Sequence, residues 1–445
     1  MRKGLALFLS AMLLLSGMPS SAEDTCQQVF EAIWSEDEQA MQLLWERMDT
    51  AAQQQISPAI LASLKGQLTQ AYGAWLFNGE SSKAVSGGLT IYQLPVHLER
   101  LSLQMQLVLQ DETIVGLSFT PLTAAATPKP VQPAEGVEEI AITVGEETAY
   151  PLPGILTLPR EGTNLPLAVL VHGSGPNDRN ESVGATQLFR DLAHALACQG
   201  IASLRYDKRT YVHGASFTQE QLAALTVQEE TIEDALRAAE LAKTFESIDP
   251  KNIWIIGHSL GAMLAPRIVR EGEGLFAGMV LLSGSPKTLL EIMINQNQAA
   301  VDTLSGQVKD QQQSLLDAYI SDAQRVLALD KDQVYGETIF GQPAYYFWEM
   351  ERYDTAELLK KIDVPSLIIN GGSDFQVTDA DGIFAWKDAL LSSSNIELVY
   401  EPDLNHLLMT YTGDPQYQGT IKEYDTPAVL DEGVSQRIGA WILNH

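Results

Sequence analysis

Between residues 154 and 400 the chain repeats short apolar runs, at 154–158, 167–171, 201–206, 253–256, 279–282, 366–369 and 396–400, without alternation of polar and apolar positions. Runs that stay apolar on both sides suit strands covered on both faces, as in a parallel sheet. Separating them are stretches at 186–199, 227–245, 260–270 and 434–442 whose apolar positions recur at helical spacing. The pattern predicts a doubly wound, mostly parallel α/β sheet over residues 136–445. Its rhythm breaks over about 286–353, where a mostly helical pattern predicts an insertion above the C-terminal edge of the sheet, placed to act as a lid. The insertion includes 311–328 and the run Tyr345-Tyr346-Phe347-Trp348. Those aromatics either line a pocket for an acyl chain or form the insertion's own core, the commoner use of such a stripe.

Upstream the pattern differs. Helical spacing joins Val29, Ile33 and Trp34, then Leu43, Leu44 and Met48, with a second helix at 60–68 and strand-like runs at 88–96, 101–109 and 113–119. Helices segregated from strands predict a separate α+β domain over residues 23–120. Four prolines among small residues make 121–135 an extended linker. The first 22 residues, with Arg2 and Lys3, a largely apolar run from Leu5 to Leu15 and small residues at Ser20, Ser21 and Ala22, read as a secretory signal cleaved after Ala22. The expected location is secreted or periplasmic. The apolar run is short for a membrane span and no later one is longer, so no membrane anchor is expected. Asp24 and Thr25 before Cys26 do not fit a lipoprotein anchor.

With 57 acidic against 28 basic residues, a net charge of −29, the surface repels nucleic acid and anionic lipid. The two cysteines, Cys26 and Cys198, give no disulfide framework, and whether they pair is not decided by the sequence. Cys198 ends an apolar helical stretch and reads as a small buried side chain. No zinc-ligand spacing is present, so neither metal nor cofactor is expected.

The chemistry centres on Ile253-Trp254-Ile255-Ile256-Gly257-His258-Ser259-Leu260-Gly261. A strand running into Gly-x-Ser-x-Gly and then a helix sets a serine on a sharp elbow, where a Cβ at either glycine would collide. Ser259 is the candidate nucleophile, with the Leu260 amide facing the oxyanion. A serine needs a histidine base held by an acid. Only His406 and the terminal His445 follow Ser259, and His406, in a loop after the last strand, is the candidate. Asp374, where the strand at 366–370 ends, is the leading acid, with Asp379, Asp381 and Asp403 as alternatives. A second oxyanion donor falls to Ser174 or Gly175, after strand 167–171 and His172-Gly173, and His172 braces that loop. Residues 205–209, Arg-Tyr-Asp-Lys-Arg, form an ion-pair network, unless Arg205 or Arg209 attracts a substrate carboxylate.

From about residue 138 onward the chain resembles the α/β-hydrolase superfamily, in particular secreted bacterial carboxylesterases of the EstD type. The likeness rests on His172-Gly173-Ser174-Gly175-Pro176-Asn177-Asp178, the 205–209 run, Gly257–Gly261, Gly371-Gly372-Ser373-Asp374-Phe375-Gln376-Val377 and Leu404-Asn405-His406. It implies a Ser259–His406–Asp374 triad and hydrolysis of short-chain acyl esters, with a small-molecule ester as partner. The segment 209–214 departs from the Arg-Gly-x-Gly of similar enzymes, which leaves that rim loop undefined. Residues 24–121 are similar to nuclear-transport-factor-like domains, and packing or homodimerisation is their expected role. The same machinery serves an oligopeptidase, a thioesterase or an acyltransferase, and a non-catalytic binding protein on this fold is the rival of another class.

Overall fold

The computed structural model describes residues 22–35, 38–49, 53, 57–72, 75–78, 81–86, 89–98, 102–110, 113–121 and 136–445, the last span without 303, 341 and 391–394. Apart from Ala22 and Pro121, the expected signal peptide and linker lie outside the described residues. The chain divides into two compact units between Lys129 and Pro130.

In the first unit, helices α1 (Ala22–Ser35), α2 (Glu38–Glu46) and α3 (Pro58–Tyr72) precede five antiparallel strands. These are β1 (Trp75–Asn78), β2 (Ser82–Ser86), β3 (Leu89–Leu98), β4 (Ser102–Gln110) and β5 (Thr113–Pro121). Both β1 and β2 pair with β3, which pairs with β4, and β4 with β5. Along β4, Leu103, Met105, Leu107 and Leu109 are buried while Gln104, Gln106 and Val108 are only partly so, the period of two expected of a strand. That apolar face forms one core with Cys26, Val29, Phe30 and Ile33 of α1. Burial pushes the Cys26 thiol up to about 12.

The second unit is built on eight strands: β6 (Val137–Val144), β7 (Leu152–Pro159), β8 (Leu165–Val171), β9 (Ala202–Tyr206), β10 (Ile248–His258), β11 (Gly278–Leu282), β12 (Ser366–Gly371) and β13 (Ile396–Glu401). Their order is β13-β12-β11-β10-β8-β9-β7-β6. The pairings from β13 through β9 are parallel, and β7 and β6 join antiparallel at one edge. Leu167, Val169 and Val171 of β8 enter one apolar layer, Ala168 and Leu170 the other, so the central strands are covered on both faces. This explains their unbroken apolar sequences.

Two expectations need correction. The run at 154–158 was expected to belong to the parallel core, but β7 is antiparallel to both neighbours, and the edge strand β6 has no counterpart in the apolar-run pattern. Its exposed Glu138 and its Glu139, which bonds Arg205 and His194, interrupt the apolar pattern and disguise it, as edge strands often are by charge. Cys198 is exposed, because α4 (Leu188–Ala197) ends one residue earlier and buries Leu188, Phe189, Leu192, Ala193, Leu196 and Ala197. Both cysteines carry free thiols.

The insertion follows β11. It holds α5 (Leu289–Asp302), α6 (Gly306–Leu327) and α7 (Ala344–Met350) and has its own apolar core, in which Tyr345, Phe347 and Trp348 pack with Ala323, Val326 and Ile339. Three of the four consecutive aromatics therefore hold the insertion together. Tyr346 packs against the body instead, its hydroxyl donating to Glu230 Oε2 at 2.7 Å.

Candidate active site

Ser259 joins β10 to the helix Leu260–Glu271 with φ 53° and ψ −116°, a strained backbone for a residue with a Cβ. Sterics fix the glycines around it. A Cβ on Gly257 would overlap the backbone of Gly261, and one on Gly261 would overlap the carbonyls of Val171 and His172. The Ser259 amide donates to the Leu282 carbonyl at 2.9 Å, anchoring the elbow to β11.

Asp374 and His406 meet from two other strand ends. Asp374, just beyond β12, accepts the amides of Gln376 and Val377 on Oδ1 at 2.7 and 2.8 Å, and its Oδ2 lies 2.7 Å from His406 Nδ1. A carboxylate at that distance places the ring proton on Nδ1, leaving Nε2 as the basic nitrogen. The His406 turn is braced by Asn405 Oδ1, which accepts the amides of Leu407 and Met409, and contains Leu408 at φ 54°. His406 lies beside the elbow, since its carbonyl is 2.9 Å from His258 Nε2 and the two rings are 4.8 Å apart. The alternative acids are elsewhere: Asp379 accepts from Tyr400, Asp381 from Lys287 and Asn295, and Asp403 is exposed. His445 bonds the Trp441 carbonyl at the chain end.

The loop after β8 lies against the elbow, since a Cβ on Gly173 would come 3.1 Å from that of Ser259. Opposite charges hold the backbone of Gly173. Its amide donates to Glu181 Oε1 at 2.7 Å and its carbonyl accepts from Lys208 Nζ at 2.9 Å. In a trans peptide the N–H points away from the C=O, so Lys208 turns the Ser174 amide in the opposite direction. Asn177 Nδ2 reaches the carbonyls of Gly173, Ser174 and Gly175. His172 is buried between Phe189 and Tyr206, with Nε2 3.0 Å from the Asp178 carbonyl. Burial, reinforced by Lys208, pushes this ring down to about 4 against the pull of Glu181, so it stays neutral and braces the loop.

The arginines of the 205–209 run are committed to internal partners. Arg205 bonds Glu139, Thr157 and Asn180, and Arg209 bonds Asp234 and Glu233. Three features escaped the sequence reading. Glu181 and His258 form a buried pair beneath the elbow. A polar chain runs from Tyr346 of the insertion through Glu230, 3.5 Å from Lys208, to Gly173. Glu423, buried near the dyad, is raised by burial and then by Asp374, against the Gly419 amide that it accepts. His258 inside the Gly-x-Ser-x-Gly motif, Lys208 in the 205–209 run and Tyr346 in the aromatic run carried a sequence signal, whereas Glu181, Glu230 and Glu423 carried none.

A mostly parallel sheet of this order, with its elbow after β10, defines an α/β-hydrolase. The chain belongs to the family described as serine aminopeptidase, S33, whose sequence pattern matches residues 168–412. It is similar to the esterase EstD of Thermotoga maritima, 32% identical over 366 residues that cover 81% of each protein. Among solved structures it is similar to Est1E of Butyrivibrio proteoclasticus, at 15% identity and TM-score 0.42 over 68% of this chain and 98% of that one. An esterase from Pyrococcus furiosus matches at 15% identity and TM-score 0.40, over 69% of this chain and 90% of that one.

Proposed function

We propose that this protein is an exported serine esterase acting on short-chain acyl esters. Ser259 Oγ attacks the acyl carbonyl carbon while His406 Nε2 takes the hydroxyl proton. The ring then protonates the departing alkoxide oxygen as the carbon–oxygen bond breaks, leaving an acyl-serine. Water, deprotonated by the same nitrogen, releases the acid and restores the serine. Asp374 holds His406 in the productive tautomer, and the amides of Leu260 and Ser174 receive the oxyanion, with Gly175 the alternative donor. The observation that carries the reading is the buried His406–Asp374 bond beside the strained Ser259 elbow.

The likeness to an esterase over both units favours an ester leaving group, whereas the family description favours an amine. Fluorophosphonate labelling with peptide mapping, followed by p-nitrophenyl esters, thioesters and aminoacyl anilides, tests both. Label on Ser259 and fastest turnover of short esters are expected. Label on another residue would remove the triad, faster anilide turnover would make the protein a peptidase, and neither labelling nor turnover would favour a binding protein. Export rests on residues 1–22, and a mature N-terminus at Glu23 in protein recovered from outside the cytoplasm is the expected result.

A further inference from the structure

We propose that Glu181 and His258 are positioning residues, a buried ion pair that locks the oxyanion loop, the nucleophile elbow and the His406 turn into one frame. The inference rests on the esterase reading above and assigns those two residues a part in its kcat.

Three contacts define the frame. Glu181 Oε1 accepts the Gly173 amide at 2.7 Å, His258 Nδ1 lies 3.0 Å from the same oxygen, and His258 Nε2 lies 2.9 Å from the His406 carbonyl. A carbonyl only accepts, so Nε2 carries a proton. Were it the only ring proton, the lone pair on Nδ1 would face a carboxylate inside the protein. Both nitrogens therefore carry protons, although the Nδ1–H is not aimed squarely at Oε1 and leaves that approach an ion pair without an aligned hydrogen bond. Glu181 itself is buried, has φ 49° and leaves Oε2 with no hydrogen-bond partner. A carboxylate so placed needs a counter-charge, and His258 is the cation beside it.

The groups facing the His258 ring from the elements around it are Glu181, Asp374 and His406, with His172 acting on the same Glu181 and Lys208 behind Gly173. Burial opposes the charge, but Glu181, and more weakly Asp374, hold His258 above the ordinary histidine range. Glu181 is lowered in turn, against its own burial, by His258. The sign follows. A raised folded-state pKa means that the pair is intact below the unfolded histidine value and is lost as pH rises through the raised one. Turnover should fall on the alkaline side while KM stays nearly constant, because the frame orients catalytic groups and does not touch substrate.

The test compares wild type, Glu181→Gln, Glu181→Asp and His258→Asn in kcat and KM for p-nitrophenyl butyrate across the pH range, with imidazole nitrogen NMR of the wild-type protein. Expected are two protonated nitrogens on His258 at neutral pH and a kcat lower by about 10- to 100-fold in Glu181→Gln and His258→Asn. KM should stay within about two-fold in both. The alkaline limb of Glu181→Gln should move to lower pH, and Glu181→Asp should recover part of the loss. A neutral His258 ring in the folded wild type overturns the proposal even if no variant folds. Folded variants with wild-type kcat and an unmoved alkaline limb overturn it too. Absence of label on Ser259 in the wild type would instead remove the esterase reading, and with it the part in kcat, while the NMR result still decides the ion pair.

Discussion

The two units solve the same packing problem with different interiors. In the N-terminal unit the buried side chains among the described residues are apolar, from Val29 and Phe30 of α1 to the alternating face of β4. In the hydrolase unit the interior also holds His172, Glu181, Lys208, Glu230, His258, Asp374, His406 and Glu423. Burying such groups costs free energy unless each finds a partner. The described non-glycine residues at positive φ divide in the same way, all falling in the hydrolase unit, with Glu181, Ser259 and Leu408 around the candidate site. An apolar interior with relaxed backbone needs only packing to explain it. Charged burial with local strain at the ends of several strands needs a chemical purpose.

The sharpest way to break this contrast is at the elbow. Ser259→Ala should lower kcat by about 10⁵–10⁶-fold with the fold intact, as removal of a nucleophile does elsewhere. Circular dichroism together with ester turnover checks both halves of that statement. Asp374→Asn should cost about 10⁴-fold, because an amide no longer selects the tautomer of His406. The same change at Asp379 or Asp403, neither of which touches His406, should stay within a few-fold. A reversal of that order would mean that the His406–Asp374 bond is not the working one.

In the N-terminal unit the expected effect is of another kind. Met105→Ala removes a fully buried side chain and should cost that unit about 2–5 kcal/mol of stability. Turnover of a short ester should be unchanged, since the candidate catalytic residues all lie in the hydrolase unit. A parallel loss of turnover in protein whose hydrolase unit remains folded would show that the apolar unit supports the chemistry.

The same contrast governs what could be read from the sequence. The parallel strands, the elbow and the His406 turn were legible because local rules write them: apolar runs for doubly covered strands, glycines where a Cβ collides, a histidine after the last strand. Asp374 was legible as a strand-end acid. Strand β6 was not, because the charged pair Glu138 and Glu139 interrupts its apolar pattern and imitates a loop. Glu181 was not, because nothing near it in sequence names Gly173 or His258 as its partners. The 205–209 run announced ion pairs, but only the fold shows that Lys208 turns the Ser174 amide. Cys198 looked buried because the helical pattern carried one residue too far.

A smaller effect should appear at the sheet edge. The His194 hydrogen bond, helped by Arg205 and opposed by burial, holds Glu139 down to about 2. A depressed carboxyl contributes stability that is fully present above its unfolded value and is lost as pH falls through the folded one. Glu139→Gln should therefore lower the Tm of the hydrolase unit by about 1–2 °C at neutral pH, as loss of about 1 kcal/mol does in a unit of about 300 residues. The difference from wild type should shrink as pH approaches 2, measured by thermal unfolding at each pH. A constant difference down to that pH would mean that packing, and not the charge, holds β6.

The smallest effect tests whether the insertion speaks to the rim. Tyr346 donates to Glu230 Oε2, while Glu230 Oε1 accepts from Thr210 and lies near Lys208. Tyr346→Phe removes one hydroxyl and keeps the ring, so the insertion's apolar core, built from Tyr345, Phe347 and Trp348, is untouched. Glu230 retains Thr210 and Lys208 as partners, which limits the disturbance reaching Gly173. Short-ester kcat should therefore change by less than about three-fold, because a hydrogen bond whose acceptor keeps other partners contributes about 1 kcal/mol or less. If the insertion also closes around the acyl group, bulky esters should lose more in KM than short ones. Equal losses in kcat for short and bulky esters would show that the Tyr346–Glu230–Lys208 chain sets the Gly173 loop itself, and would extend the charged interior of the candidate site into the insertion.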